Sequence, residues 1–284
     1  MADATTAEVP LVRSGAFDLK WQPGFGVVTM ICLVLLYAPM IVLFVFSFNG
    51  SDSITRWGGL PGWRWYTEAF ADEEFRSAAM NTIKITVVAT IISTLAATAA
   101  AIGTTRGRQF AGQGAIYTVV NLPLMVPEII TAIATLSFFA LLAQYGGINF
   151  GIGNLMLAHT VFCIPFAYMP IRARLEGMDE RLEQAAADLY ATPWQAFKRV
   201  TLPLLVPGIS AGTALAFIVS FDDFTITQLV AGPGQTTLPL YIWAKTRRPL
   251  TPELNAMCTI LLAISILFVV TSFLIANRRR SKTE

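Results

Sequence analysis

Charge is scarce in this sequence. Only 13% of its 284 residues are Asp, Glu, Lys or Arg and 55% are hydrophobic, whereas soluble domains carry roughly 25% charged residues. The balance points away from a soluble domain and toward a membrane. Histidine occurs once, at His159, and cysteine three times, at Cys32, Cys163 and Cys258, all inside apolar runs and at no metal-ligand spacing. No metal centre or disulfide is therefore expected; the cysteines read as reduced core residues and His159 as a packed helix residue. A net charge of +2 gives no footing for nucleic acid. The chain has no G-x-x-x-x-G-K-[ST] run to cradle nucleotide phosphates, no H-E-x-x-H pair and no nucleophile elbow, so no motif supports catalysis by this chain. The first 26 residues lack a short apolar core and a small-residue cleavage site, so the first apolar run is expected to stay uncleaved.

Long apolar runs are what the chain does have. A spanning helix needs about 20 mostly apolar residues, and six segments qualify: 27–48, 84–104, 115–142, 154–171, 207–230 and 256–276. The third contains Pro123, Pro127 and Glu128 and is too long for one plain helix, so a kinked or discontinuous helix is expected there. With the N-terminus inside, 13 of the 20 Lys and Arg residues fall on the inner side and 7 on the outer. The inner set includes Arg106, Arg108, Arg172, Arg174 and the run Arg278–Arg280. Both termini are then cytoplasmic. The organisation reads as a cytoplasmic tail (1–26), a transmembrane unit (27–276) with a cytoplasmic loop at 173–205, and a basic cytoplasmic tail (277–284).

The first outer loop carries "RWGGLPGWRWYTEAF", whose aromatics suit an interfacial helix or, alternatively, a binding surface. Gly208, Gly212 and Ala216 recur every fourth residue, a spacing that lets helices approach closely in a bundle or a dimer. The alanine-rich second span is expected to pack likewise.

Three acids lie at membrane depth: Glu128 near the middle of the third segment, and Asp222 and Asp223 in the outer half of the fifth. A carboxylate there costs a few kcal/mol unless paired or hydrated. With no Lys or Arg near the centre of any span, the three suit a path or gate for a cation. The alternative has the aspartates at a watery helix end and Glu128 bonded to backbone freed by the prolines.

Between the fourth and fifth spans lies "LEQAAADLYATPWQAFKRVTLPLL", residues 182–205. Leu182, Ala185, Ala186 and Leu189 make a narrow apolar face at helical spacing. Thr192, Pro193 and Gln195 form a capping box with proline at the first helical position. Two short helices meeting near Tyr190–Thr192 are expected, with Pro203 and Pro207 punctuating the start of the fifth span. On periodicity alone this pair reads as lying on the bilayer; the alternative is that its small alanine-centred face seats in another protein's groove.

The block resembles the cytoplasmic loop of permease subunits of ATP-binding-cassette importers, whose pattern is E-A-A, three residues, G, nine residues, I, one residue, L-P. It falls on Gln184, Ala185, Ala186, Tyr190, Val200, Leu202 and Pro203, with the spacing kept throughout. Glutamine stands for the glutamate, though Glu183 is adjacent; tyrosine stands for the glycine and valine for the isoleucine. Glycine at such a joint supplies a left-handed backbone that tyrosine adopts reluctantly, so the joint is expected to be reshaped. The run "SFDDFTITQLVAGPGQTTLPLYIWAKTRRPLTPELNAM" and "LPLMVPEII" are similar to the spermidine/putrescine branch, and the likeness extends over 27–280.

The resemblance implies an all-α, six-helix importer permease of a bacterial inner membrane, with coupling helices and without catalysis of its own. Its partners would be two ATPase subunits that carry ATP and Mg, a second permease and an external or periplasmic binding protein, besides membrane lipid. ATPase coupling would rest on Glu183, Gln184, Ala185, Ala186, Tyr190, Val200, Leu202 and Pro203, and the path of a polyamine on Glu128, Asp222 and Asp223. The alternatives are a permease for another small organic solute and an ion-coupled secondary transporter. The latter calls for paired broken helices in two inverted halves, and one broken span is visible.

Overall fold

The computed structural model describes residues 23–60, 62–107 and 111–280. Most of the tail expected at 1–26, Arg108, and residues 281–284 of the basic tail lie outside the described residues. Among the described residues every regular element is helical, and six helices are long and apolar enough to cross a membrane.

The first, α1 (Pro23–Phe46), is apolar on every side, and none of its span is buried in the chain. A helix with no polar stripe and no covering partner presents the surface that lipid requires. Cys32 lies on it and is exposed, which corrects its reading as a core residue. A short helix, α2 (Arg64–Ala71), precedes α3 (Glu73–Thr105), which starts well before the expected residue 84. Asp72 explains the early start, since its carboxylate accepts from the N–H of Glu74 (2.9 Å) and Phe75 (3.3 Å). Glu73 and Glu74 add negative charge at the positive helix end.

The third segment is split, as its prolines imply, into α4 (Gln113–Met125) and α5 (Glu128–Gly146). Val126 is extended at φ −95° and ψ 135°, the conformation that the ring of a following proline imposes. The break puts Glu128 in the first turn of α5. The fourth span is α6 (Ile152–Glu176). Two short helices follow, α7 (Arg181–Asp188) and α8 (Pro193–Ala196), and then α9 (Leu202–Phe221), α10 (Thr225–Val230), α11 (Leu238–Lys245) and α12 (Pro252–Arg280).

Two expectations for the fifth span need correction. It does not start cleanly at the prolines, because α8 runs through a π turn (Phe197–Thr201) straight into α9, with Leu202 N–H reaching Phe197 O. A wider turn relieves the collision of the Pro203 ring with the carbonyl four residues back. Nor does it reach residue 230 unbroken, since Asp222–Phe224 interrupt the helix between α9 and α10.

The core is the packing of α3, α6 and α9. Gly208, Gly212 and Ala216 face α6 of the same chain, so the small-residue stripe serves the bundle. A Cβ at Gly212 would sit 2.6 Å from Ala167 O, and one at Gly208 would sit 2.6 Å from Arg174 Cβ. Cys163, buried opposite, donates to Ala216 O at 3.5 Å. On α3, Ala97 and Ala101 are fully buried, whereas Ala96 and Ala99 face outward.

At the end expected to be outside, the aromatic loop is partly folded inward. Trp65 is buried and donates from Nε1 to Asn49 O at 2.6 Å, while Trp57 and Trp63 stay exposed. Asn49 is fully buried and organises the loop, donating to Arg56 O (2.8 Å) and accepting from Gly58 N–H (2.8 Å). Asp72 ties this end together, accepting from the Tyr241 hydroxyl and from Lys245 Nζ (3.3 Å), which also lies 3.6 Å from Glu253.

Candidate functional site

Residues 180–203 form a compact corner. Helix α7 ends in a Schellman cap, with Tyr190 N–H donating to Ala187 O (2.9 Å) and Ala191 N–H to Ala186 O (3.1 Å). Tyr190 sits at φ +59°, the only non-glycine residue with positive φ among the described residues. Tyrosine here takes the left-handed conformation that glycine takes more readily. The two bonds of the cap offset a conformation that costs an ordinary residue about 1–2 kcal/mol. The expected capping box is present, with Thr192 Oγ1 accepting from Gln195 N–H (3.3 Å) and Gln195 Oε1 from Thr192 N–H (2.9 Å).

The corner faces outward. No residue of α7 is buried, and Leu189, Tyr190 and Trp194 are 82%, 96% and 68% exposed. Gln184 and Ala185 are exposed and Ala186 is half-buried, so the apolar face has no cover within this chain. Val200 and Leu202 are half-buried in the joint to α9, and Pro203 is exposed.

Glu183 points the other way. Its Oε1 accepts from Thr201 Oγ1 (2.9 Å) and lies 3.4 Å from Arg106 Nε. Arg106 also donates to Glu180 Oε1 (2.7 Å) and to the carbonyls of Leu175 and Met178 (3.0 Å each). Sequence reasoning counted Arg106 only as an inner charge. Nothing in its neighbourhood along the chain signals the partners on α6 and α7.

The three membrane acids are brought to one place, where the break before α5 meets the break between α9 and α10. Glu128 lies beside Asp223 and Thr225 and is half-buried. Asp222 is exposed, whereas Asp223 is turned into the protein, its side chain 1% exposed. Asp223 accepts from the N–H of Ile226 (3.3 Å) and Thr227 (3.0 Å) and from Thr227 Oγ1 (3.0 Å), and so opens α10. Behind it, His159 Nε2 lies 3.3 Å from Asp223 Oδ2 and 3.1 Å from Thr227 Oγ1, with His159 Nδ1 3.0 Å from Ser220 Oγ. His159 is thus packed, as expected, but inside a polar network that also includes Thr86.

Broken helices thus gather three acids at one place in the bundle, and a capped, uncovered corner stands at residues 180–203. The backbone is similar to a bacterial ABC transporter involved in the import of the acidic polysaccharide alginate. That match has TM-score 0.70 at 19% identity and covers 90% of this chain and 94% of that one. It is also similar to the MetNI methionine ABC transporter, with TM-score 0.60 at 18% identity, covering 71% and 94%. At such identities the likeness establishes the fold.

Residues 89–282 match the family described as binding-protein-dependent transport system inner membrane component, and the chain belongs to that family. It is 34% identical over 277 residues to the putrescine transport system permease protein PotI of Escherichia coli K12, covering 96% of this chain and 95% of the relative. It is 35% identical over 249 residues to the spermidine/putrescine permease PotC of the same organism, covering 88% and 91%. The PotC of Haemophilus influenzae is 34% identical over 243 residues, covering 86% and 92%. The chain is accordingly a non-catalytic, multi-pass permease subunit of an ABC importer, and ATP hydrolysis belongs to a partner.

Proposed function

We propose that this chain forms half of the translocation path of an ATP-driven importer of putrescine or a related polyamine and docks an ATPase subunit through residues 180–203. The identity to a putrescine permease across nearly the whole of both chains carries the substrate reading. Coupling is supported by the uncovered corner, where Leu189, Tyr190 and Trp194 stand out from two capped helices. Apolar and aromatic anchors of this kind dominate binding surfaces. ATP and Mg would be held by two ATPase subunits, the second half of the path by another permease, and delivery would fall to an external binding protein. Both termini would lie in the cytoplasm, a reading supported by the excess of Lys and Arg on that side.

A polyamine crossing the membrane needs compensation for each ammonium group. Asp222 and Glu128 retain accessible surface and suit that contact. Asp223, already bonded to α10 and His159, suits a positioning role, holding the break that presents the other two.

The test is reconstitution of the four kinds of subunit in liposomes with labelled putrescine. ATP-dependent uptake that stops with a catalytically dead ATPase is expected. Gradient-driven uptake by this chain alone would overturn the reading.

A further inference from the structure

We propose that Arg106 is the positioning residue that locks the coupling helix α7 to the membrane bundle, so that movement of a docked ATPase passes into α3 and α6. This rests on the reading that the corner docks an ATPase.

Helix α7 buries no side chain, so apolar packing does not hold it in place. Its polar links to the bundle are the Glu183–Thr201 bond and the contacts of one guanidinium, 11% exposed at the C-terminal end of α3. Arg106 donates to Glu180 on the approach to α7 (2.7 Å) and faces Glu183 within α7 (3.4 Å). It also donates to Leu175 O in the last turn of α6 and to Met178 O in the turn beyond, both at 3.0 Å. Leu175 O also accepts from Met178 N–H (3.1 Å), so Arg106 adds a second bond at the end of α6 while its charge faces Glu183 of α7. Glu183 extends the link by accepting from Thr201 in the π turn that leads into α9 (2.9 Å). One side chain therefore joins the cytoplasmic ends of α3 and α6 to α7 and, through Glu183, to α9.

The chemistry suits transmission. Hydrophobic contact is non-directional, whereas a planar guanidinium with several donors in a fixed fork holds its partners at set angles. A push on the exposed face of α7 is then passed to three long helices and does not swing a loose loop. Lysine keeps the charge but cannot reach both carboxylates and both carbonyls from a single ammonium. The acid adjacent to the family's E-A-A position thus works toward the interior of this chain, and Gln184 is left at the docking surface.

The experiment uses the full complex in liposomes, reading ATP hydrolysis and putrescine uptake on the same vesicles. Hydrogen exchange along α3 and α6, compared with and without trapped nucleotide, reads transmission whatever the substrate. Arg106→Gln is expected to retain the ATPase and its hydrolysis, to lower uptake per ATP at least fivefold, and to lose the nucleotide-dependent change in exchange. Arg106→Lys should fall between. Glu183→Gln should act in the same direction, and the double variant should be no worse than the worse single one, since both break one link. Should Arg106→Gln fail to assemble, Glu183→Gln decides by the same readings. Unchanged uptake per ATP with an unchanged exchange response, or additive losses, would overturn the proposal. Tyr190→Asp separates the underlying reading, because normal ATPase retention and coupling in that variant would remove the docking corner itself. Loss of docking in Tyr190→Asp beside normal coupling in Arg106→Gln would remove only the lock.

Discussion

His159 Nε2 and Asp223 Oδ2 lie 3.3 Å apart with both side chains sealed from solvent, 2% and 1% exposed. Thr227 Oγ1 donates to Asp223 Oδ2 and lies 3.1 Å from the same ring nitrogen. His159 thereby holds the aspartate that opens α10. His159→Leu leaves Ser220 and Asp223 each short of a partner, and an orphaned buried group costs about 1–3 kcal/mol. His159→Gln keeps a donor and an acceptor at the site. Melting of the detergent-solubilised complex should drop clearly for leucine and only slightly for glutamine.

The neighbouring aspartates should separate by readout. Asp222→Asn is expected to lower putrescine uptake severalfold with no change in melting temperature, because its side chain is exposed and caps nothing. Asp223→Asn replaces one accepting oxygen with a donor, facing the N–H groups of Ile226 and Thr227, so it should lower both melting temperature and uptake. Equal effects of the two changes in both assays would contradict this division.

Tyr190→Gly exchanges a strained residue for one at ease at φ +59°. The corner should gain about 1 kcal/mol in local stability, measured as slower amide exchange in α7. The ATPase should nevertheless bind more weakly, because the most exposed anchor of the corner is lost. A titration with purified ATPase subunit checks the second half of the prediction.

The latch of Asp72, Tyr241 and Lys245 carries a pH signature. Partial burial raises the Asp72 pKa, but bonds from Tyr241, the Phe75 N–H and Lys245 outweigh it and hold the carboxyl below its ordinary value of 3.8. A carboxylate depressed in the folded state contributes stability above its unfolded pKa, and that contribution is lost as pH falls through the folded value. Burial and the bond to Asp72 push the Tyr241 phenol up to about 12, so its contribution is intact below pH 10 and is lost as pH rises through 12. The latch should therefore hold from about pH 4 to about pH 10, and Asp72→Asn should loosen it at neutral pH. Exchange rates of α11 amides across that range provide the measurement.

Local chemistry was legible in the residues themselves. Thr192, Pro193 and Gln195 specify a helix start because all the bonds involved lie within four residues. Pro127 specifies the broken third span because its ring acts on its own neighbours. Apolar runs of spanning length specify the number of candidate spans, since lipid acts on each segment separately. The resemblance to the importer permeases, and not the residues themselves, marked Tyr190 as a place where glycine is expected. Only the fold showed that two capping bonds hold tyrosine in the left-handed conformation.

Tertiary structure alone decided which groups meet. His159 and Asp223, Arg106 and Glu183, and Asp72 and Lys245 each join helices far apart in the chain, and nothing in the periodicity of one helix encodes the residue that a distant helix turns toward it. Burial decided the rest. Two adjacent aspartates with the same chemistry were separated into one exposed and one enclosed, because a helix break turns consecutive side chains to opposite sides.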